Sequence, residues 1–127
     1  MARLTASSQD YLEAILHLCN EKGEARSIEV AERLGFSRAS VSRALKPLRD
    51  AGYIEQKRYS TITITEAGIR AGDEVQQRHK ALKRFLVEVL GVDSTTAEVD
   101  ACAMEHSLSM ESLIKLQLFL GQSLANY

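Results

Sequence analysis

Two short helix-forming segments joined by the turn Gly35–Ser37 are the feature that most constrains the fold of this chain. Apolar residues at helical spacing predict a helix over residues 28–34, with Ser27 as its cap and a glycine in the stop position. A further helix is expected from about 38 to 51, and Pro47 inside it predicts a local bend. Two helices joined by a turn of this length are typical of a helix-turn-helix motif.

The segments on either side extend this motif. Residues 10–19 carry apolar side chains at helical spacing, so they predict a preceding helix, capped by Ser7 or Ser8 and ended near Gly23. After the motif, residues 52–57 and 61–65 alternate with a period of two, which predicts a β-hairpin. Helices followed by a hairpin in this order predict a winged helix-turn-helix.

The second half of the chain is expected to be helical. A long apolar-periodic segment predicts a helix over 66–90, and Thr95 with Glu98 matches a capping box before a helix over about 96–108. A last helix is expected over 110–120. The predicted fold class is therefore mainly α with a small β-hairpin: an N-terminal winged helix-turn-helix followed by an α-helical region for dimerisation and metal binding.

Charge separates the two halves of the chain. Residues 26–58 hold eight basic and four acidic side chains, whereas residues 85–127 hold one basic and six acidic side chains. The basic segment could bind the phosphates of a nucleic acid, and the acidic segment could bind a cation. We therefore expect a DNA-binding domain at 1–65 and a dimerisation and metal-binding domain at 66–127.

The sequence shows no apolar run long enough to span a membrane and no signal peptide, so we expect a cytoplasmic protein with no membrane partner. Its two cysteines lie far apart, which makes a disulfide framework unlikely in such a protein. Cys19 is expected to be a core residue.

The basic half offers a surface for double-stranded DNA. In a helix-turn-helix the second helix enters the major groove, where arginine can bind guanine and serine or lysine can position phosphates. The tip of the hairpin would contact the DNA backbone or the minor groove. The predicted DNA-binding residues are Arg26, Ser37, Arg38, Ala39, Ser40, Ser42, Arg43, Lys46, Lys57, Arg58 and Tyr59.

A second set of side chains has the composition of a metal site. Cys102, Glu105 and His106 follow at offsets of three and four, which places them on one face of a helix. Thiolate, imidazole and carboxylate together suit a borderline divalent metal, which would also relieve repulsion among the acids. The predicted metal ligands are Asp10, Glu13, His79, Cys102, Glu105 and His106; His17 is expected to be structural.

Taken together, these segments make the sequence similar to the iron- and manganese-dependent repressor family typified by the diphtheria toxin repressor. The resemblance covers nearly the whole chain. It rests on QDYLEAI at 9–15, VAERL at 30–34, ASVS at 39–42, TITEAG at 63–68, RH at 78–79 and MEHSLS at 104–109.

The resemblance implies that the winged helix binds DNA and that the later helices dimerise and hold a regulatory metal. It assigns metal ligands to Asp10, Cys102, Glu105 and His106, His79 to a neighbouring metal, and Glu13 to a ligand position of manganese-type members. This chain departs from both types, since Asp10 is typical of manganese-type members and Cys102 of iron-type members. Iron-type members also place an acid and a histidine where Lys83 and Glu98 stand here. We expect a short form without the C-terminal SH3-like domain of many relatives.

The function implied is a repressor that binds palindromic operator DNA as a homodimer when loaded with metal, and controls genes of metal homeostasis. The thiol favours Fe(II), with Mn(II) second, and Co(II), Ni(II) or Zn(II) are expected to bind in vitro. The metal would hold the winged helix against the helices that dimerise. This would restrict the distance between the two DNA-contacting helices of the dimer to the narrow range that fits an operator, whose half-sites lie about 34 Å apart or multiples of that.

Three other functions fit part of the sequence. The main alternative is a winged-helix regulator that responds to an organic ligand or a protein partner without metal. An architectural dimer that bends DNA would bind without regulation. A zinc hydrolase is disfavoured because the sequence lacks paired-histidine and paired-cysteine zinc spacings, and we expect no enzymatic activity.

Overall fold

The computed structural model describes residues 4–57 and 61–125, with side chains through Gly121. The chain divides into two compact units, Met1–Glu74 and Val75–Tyr127. Within the described residues there are six α-helices, one π-helical turn and three short strands. The predicted fold class, mainly helical with a small β-hairpin, is confirmed.

The first unit contains three helices and a small sheet. Its elements are α1 (Ala6–Lys22), β1 (Ala25–Arg26), α2 (Ser27–Leu34), α3 (Arg38–Asp50), β2 (Ile54–Gln56) and β3 (Thr61–Ile64). The hairpin β2–β3 forms as predicted, with Ile54 opposite Ile64. The sequence did not predict β1, which pairs antiparallel with β3 and gives the order β1-β3-β2. Two residues are too short a segment to show the period of a strand.

Two of the helix caps predicted in the first unit are wrong. Thr5, one residue before α1, accepts the N–H of Ser8 at 3.1 Å, so the serines lie inside the first turn. Ser27 is the first residue of α2, and the N–H of Arg26 before it donates to the Glu29 carboxylate at 3.0 Å. The residue at the N-cap position has extended backbone, which Thr5 and Arg26 have; at Arg26 the capping bond comes from the Glu29 side chain and not from its own.

Helix α3 continues through Pro47 to Asp50. Proline removes one hydrogen-bond donor, but its carbonyl still accepts the N–H of Ala51 at 3.0 Å. Val41, Leu45 and Leu48 face inward and are fully buried, as their spacing predicts. Burying each such side chain stabilises the fold by roughly 1.5–3 kcal/mol, which outweighs one lost hydrogen bond.

The core of the first unit joins α1, α3 and the sheet. Leu12 and Ile15 of α1 pack in the same buried cluster as Leu45 of α3 and Ile62 of β3. These contacts fix one face of α3 to the core, so its opposite face is presented to solvent.

The second unit contains the end of a long helix and two further helices. Its elements are the later part of α4 (Glu66–Arg84), a π-helical turn at Phe85–Val89, α5 (Ser94–Met104) and α6 (Met110–Ala125). The long helix was expected to reach residue 90. It changes to π geometry instead, with the N–H of Leu90 bonded to the carbonyl of Phe85 at 3.1 Å.

The boundaries of α5 also differ from the prediction. Asp93, and not Thr95, caps the helix by accepting the N–H of Thr95 at 3.1 Å. Helix α5 ends at Met104, where the N–H of Ser107 bonds to the Met104 carbonyl at 3.1 Å. This hydrogen bond reaches back three residues and closes a turn, whereas an α-helix would continue with bonds that reach back four residues.

The core of the second unit is small. Ala81, Leu113 and Leu120 are buried, and Phe85 packs beside them with its ring 6.3 Å from that of Phe119. Nowhere in the described part of the chain does a helix combine the length and apolar character needed to cross a bilayer.

Candidate metal centre and DNA-binding surface

His79 on α4 lies at the centre of a polar cluster in the second unit. Its Nδ1 is 2.8 Å from Oε2 of Glu105, and its Nε2 is 2.9 Å from Oε1 of Glu98. The Glu105 side chain is 3% exposed, whereas that of Glu98 is 48% exposed. The imidazole thus bridges one buried and one solvent-exposed carboxylate.

Cys102 adds a thiol to this cluster. It lies one helical turn after Glu98 on α5, and its Sγ is 3.7 Å from Nδ1 of His79. One ligand atom each from His79, Glu98 and Cys102 can be chosen so that all three lie within 4.8 Å of one another. Ligand bonds to a transition metal measure about 2.0–2.3 Å, so three atoms at this spacing can share one ion. Imidazole, carboxylate and thiolate donors therefore fit a borderline divalent metal.

The acidic partners control the protonation of His79. Burial lowers the pKa of this imidazole, but the hydrogen bond with Glu98 and the charge of Glu105 outweigh burial, and the pKa is raised overall. The pKa of Glu98 is lowered by its hydrogen bonds with Lys83 and His79. Because a metal needs a neutral imidazole, binding at His79 displaces a proton.

The helix predicted over about 96–108 ends at Met104, so Glu105 is its C-cap residue and His106 lies in the turn that follows. The N–H of Glu105 still bonds to the Ala101 carbonyl at 2.9 Å, which keeps Glu105 in helical register. His106 follows in the turn, with its Nε2 at 3.6 Å from Oε1 of Glu105 and its side chain 12% exposed. The two residues remain adjacent, and both are largely withdrawn from solvent.

Two features of this site escaped the sequence analysis. Glu98 was assigned to a capping box, but its carboxylate instead contacts His79 and Lys83. Arg78 is buried and donates from Nε to the carbonyl of Leu108 at 2.9 Å, which anchors the segment that follows His106. His79 and Lys83 lie one turn apart on α4, but only the packing of the helices shows that both contact Glu98.

Asp10 and Glu13 belong to the first unit, where they lie one turn apart on α1. Asp10 is exposed, and the Glu13 carboxylate lies 3.8 Å from Nε2 of His17. Their role as metal ligands rests on the family resemblance. Cys19 is half-buried against β3, and burial raises the pKa of its thiol, in keeping with the core role expected for it.

The proposed DNA-binding residues of α3 lie on its outward face. Ser37 caps the helix by accepting the N–H of Ser40 at 3.2 Å, which fixes where the exposed face begins. Ser40 is half-buried and the others on this helix are exposed: Arg38, Ala39, Ser42, Arg43 and Lys46. Arg26 on β1 and Lys57 at the end of the hairpin are exposed as well. Arg58 and Tyr59 lie outside the described residues.

Known families match both halves of this chain. A DNA-binding family, described as the iron dependent repressor N-terminal DNA binding domain, matches residues 3–62, and the metal binding and dimerisation domain of the same repressors matches residues 65–124. A winged DNA-binding unit with a metal-binding helical unit defines a metal-dependent transcriptional regulator. The chain belongs to the iron dependent repressor family of transcriptional repressors.

Individual relatives agree with this assignment. An uncharacterized helix-turn-helix transcriptional regulator of Methanocaldococcus jannaschii is 37% identical over 92% of this chain and 94% of its own length. The transcriptional regulator MntR of Escherichia coli is 40% identical over 87% of this chain and 70% of its own. The structure of a manganese-dependent transcriptional repressor in complex with manganese is 28% identical, with a TM-score of 0.78 over 90% of this chain and 52% of its own.

Proposed function

We propose that this protein represses transcription by binding palindromic operator DNA as a homodimer when a divalent metal is bound. The observation that carries the proposal is the cluster of His79, Glu98 and Cys102, with the buried Glu105 against His79, within the residues matched by the metal-binding family. A buried carboxylate held against an imidazole with a thiol alongside is the donor set of a transition-metal site. We propose that the regulated genes serve metal homeostasis.

The proposed ligand set combines two kinds of support. The geometry of the second unit supports His79, Glu98 and Cys102, with Glu105 against His79 and His106 next to Glu105. The resemblance adds Asp10 and Glu13, which stay predictions. When bound, the metal supplies positive charge that neutralises the acidic side chains and holds their positions.

We propose Fe(II) as the physiological metal, with Mn(II) second, because the Cys102 thiolate is a softer donor than a carboxylate. The MntR relatives and the manganese complex support the second ion by analogy. Co(II), Ni(II) and Zn(II) would bind in vitro, since affinity for a given site generally rises from manganese towards copper. Metal supply in the cell would then decide which ion is used.

The homodimer is proposed to form through α6. Ile114, Leu118 and Phe119 on this helix are 45–60% exposed, which is unusual for three large apolar side chains so close together. They lie within the residues matched by the dimerisation family. A dimer would present two copies of α3 to the two halves of a palindrome.

The test is an anaerobic titration of the protein against fluorescent DNA from its own promoter, with Fe(II), Mn(II) or a chelator present. We expect tight binding only with metal, at a lower midpoint for Fe(II) than for Mn(II). A scrambled DNA of equal length controls for non-specific binding. Equal binding in chelator would contradict the metal switch and favour regulation by an organic ligand or a protein partner.

A further inference from the structure

The Lys83–Glu98 ion pair sits directly on the candidate metal cluster. Nζ of Lys83 lies 2.9 Å from Oε2 of Glu98, while Oε1 of the same carboxylate lies 2.9 Å from His79. Both oxygens of Glu98 therefore contact a nitrogen donor. An ion that uses Glu98 as a ligand has to compete with the Lys83 ammonium for this carboxylate.

The charges around Glu98 reinforce this competition. The Glu98 and Glu105 carboxylates are balanced by the ammonium of Lys83 and by the imidazolium of His79 when it carries its second proton. An added divalent ion replaces the proton on His79, but it does not remove the lysine. The ion and the ammonium would then both lie next to the Glu98 carboxylate, and the repulsion between these two positive charges would lower the affinity for the ion.

The position of Lys83 lets it act without disturbing the fold. It lies one helical turn after His79 on α4, and its side chain is 37% exposed. It lines a cavity of about 520 Å³, together with Lys80, Arg84 and Glu98. Neither Lys83 nor Glu98 is part of the buried core, so the ammonium can be moved or removed without loss of core packing.

We propose that Lys83 sets the affinity of the metal centre: its ammonium competes for Glu98 and raises the metal concentration at which the His79–Glu98–Cys102 cluster fills. This inference rests on the proposed function, because it requires that the cluster binds metal. The site would fill only when the metal concentration is high enough for the ion to displace the Lys83 ammonium from Glu98.

Lys83→Met tests the proposal because it keeps the apolar stem and removes the ammonium. The matched control is Lys80→Met, which removes the same charge from the same helix and cavity while Glu98 keeps its partner. Co(II) is the probe, titrated anaerobically, since a thiolate-to-cobalt absorption band reports on Cys102. We expect Lys83→Met to bind Co(II) about tenfold more tightly, equivalent to about 1.4 kcal/mol, and Lys80→Met to stay within about twofold of the unaltered protein.

A double variant identifies the carboxylate involved. In Lys83→Met/Glu98→Gln the gain should vanish, giving the affinity of Glu98→Gln alone, because the two residues act on one interaction. No gain in Lys83→Met, an equal gain in Lys80→Met, or a gain that persists without Glu98 would each overturn the inference. If the unaltered protein showed no thiolate band with Co(II), metal binding at this cluster would fail together with the inference. A band with no effect of Lys83 would overturn the inference alone.

Discussion

Nδ1 of His79 lies 2.8 Å from the buried Oε2 of Glu105, and this contact links α4 to the turn that follows α5. A carboxylate 3% exposed has little water to solvate its charge, so it depends on a cationic partner. In the absence of metal the imidazolium of His79 can supply that charge. A metal held by His79 would supply positive charge in place of that proton, so Glu105 would have a positive neighbour in both conditions.

Glu105→Gln should weaken metal binding about 100-fold or more, while the protein remains folded. The amide keeps the size of the side chain but loses the charge that a cation requires. Metal affinity is measured by competition with a chelator, and circular dichroism checks the fold. Glu111→Gln, an exposed acid on α6, is the matched control and should bind metal normally. Full metal affinity in Glu105→Gln would contradict the ligand assignment.

Arg43→Ala should weaken operator binding by roughly 1–3 kcal/mol without altering metal affinity. The side chain is exposed on α3, on the face opposite the buried Leu45, where a base contact would be lost. Fluorescence anisotropy with operator DNA measures the change at fixed salt. Arg33→Ala, which removes the same charge from α2, should have a smaller effect. If Arg43→Ala weakened metal binding as much as DNA binding, the assignment of Arg43 to DNA binding alone would be wrong.

Metal affinity should rise with pH across the titration of His79. Its pKa is raised despite burial, through Glu98 and Glu105, so the metal must displace a proton below that pKa. The stability that this proton gives the metal-free protein is present below the unfolded pKa and is lost as the pH rises through the folded value. Calorimetry in buffers of different ionisation enthalpy counts the protons released. His79→Gln should release fewer protons, and an unchanged count would contradict this role.

Gly68→Ala should destabilise the first unit by about 1–3 kcal/mol, the usual cost of overpacking. A Cβ at this position would lie 2.0 Å from the backbone oxygen of Tyr53, which cannot move without disturbing the sheet. Urea denaturation measures the free energy of unfolding. Gly121→Ala is the control, since a methyl group there meets nothing within 4 Å. A neutral effect of Gly68→Ala would mean that the chain can relax at this contact.

The helix-turn-helix was predictable because its signals are local. The glycine after α2 and the serine before α3 mark the turn between them, and Val41, Leu45 and Leu48 repeat with the period of a helix. The strand β1 and the cap at Thr5 were not predictable in this way. Each depends on pairing or on backbone geometry that one short segment does not reveal.

The candidate metal site was predictable in its residue types but less so in its geometry. The spacing of Cys102, Glu105 and His106 predicts three donors on one helix, yet α5 ends at Met104 and the last two residues lie in the turn that follows. The contacts of Glu98 with His79 and Lys83 join residues from two helices, and only tertiary packing brings them together. Local spacing therefore gave the chemistry of the site, and the fold supplied its ion pairs.

The most direct test of the account measures metal affinity with and without operator DNA. Coupling between two sites is reciprocal, so if metal strengthens DNA binding by some factor, DNA must strengthen metal binding by the same factor. We expect operator DNA to tighten Mn(II) binding by about 5–150-fold, the range of typical couplings, and scrambled DNA to have a much smaller effect. Metal affinity that is identical with and without operator DNA would contradict the claim that metal controls DNA binding in this protein.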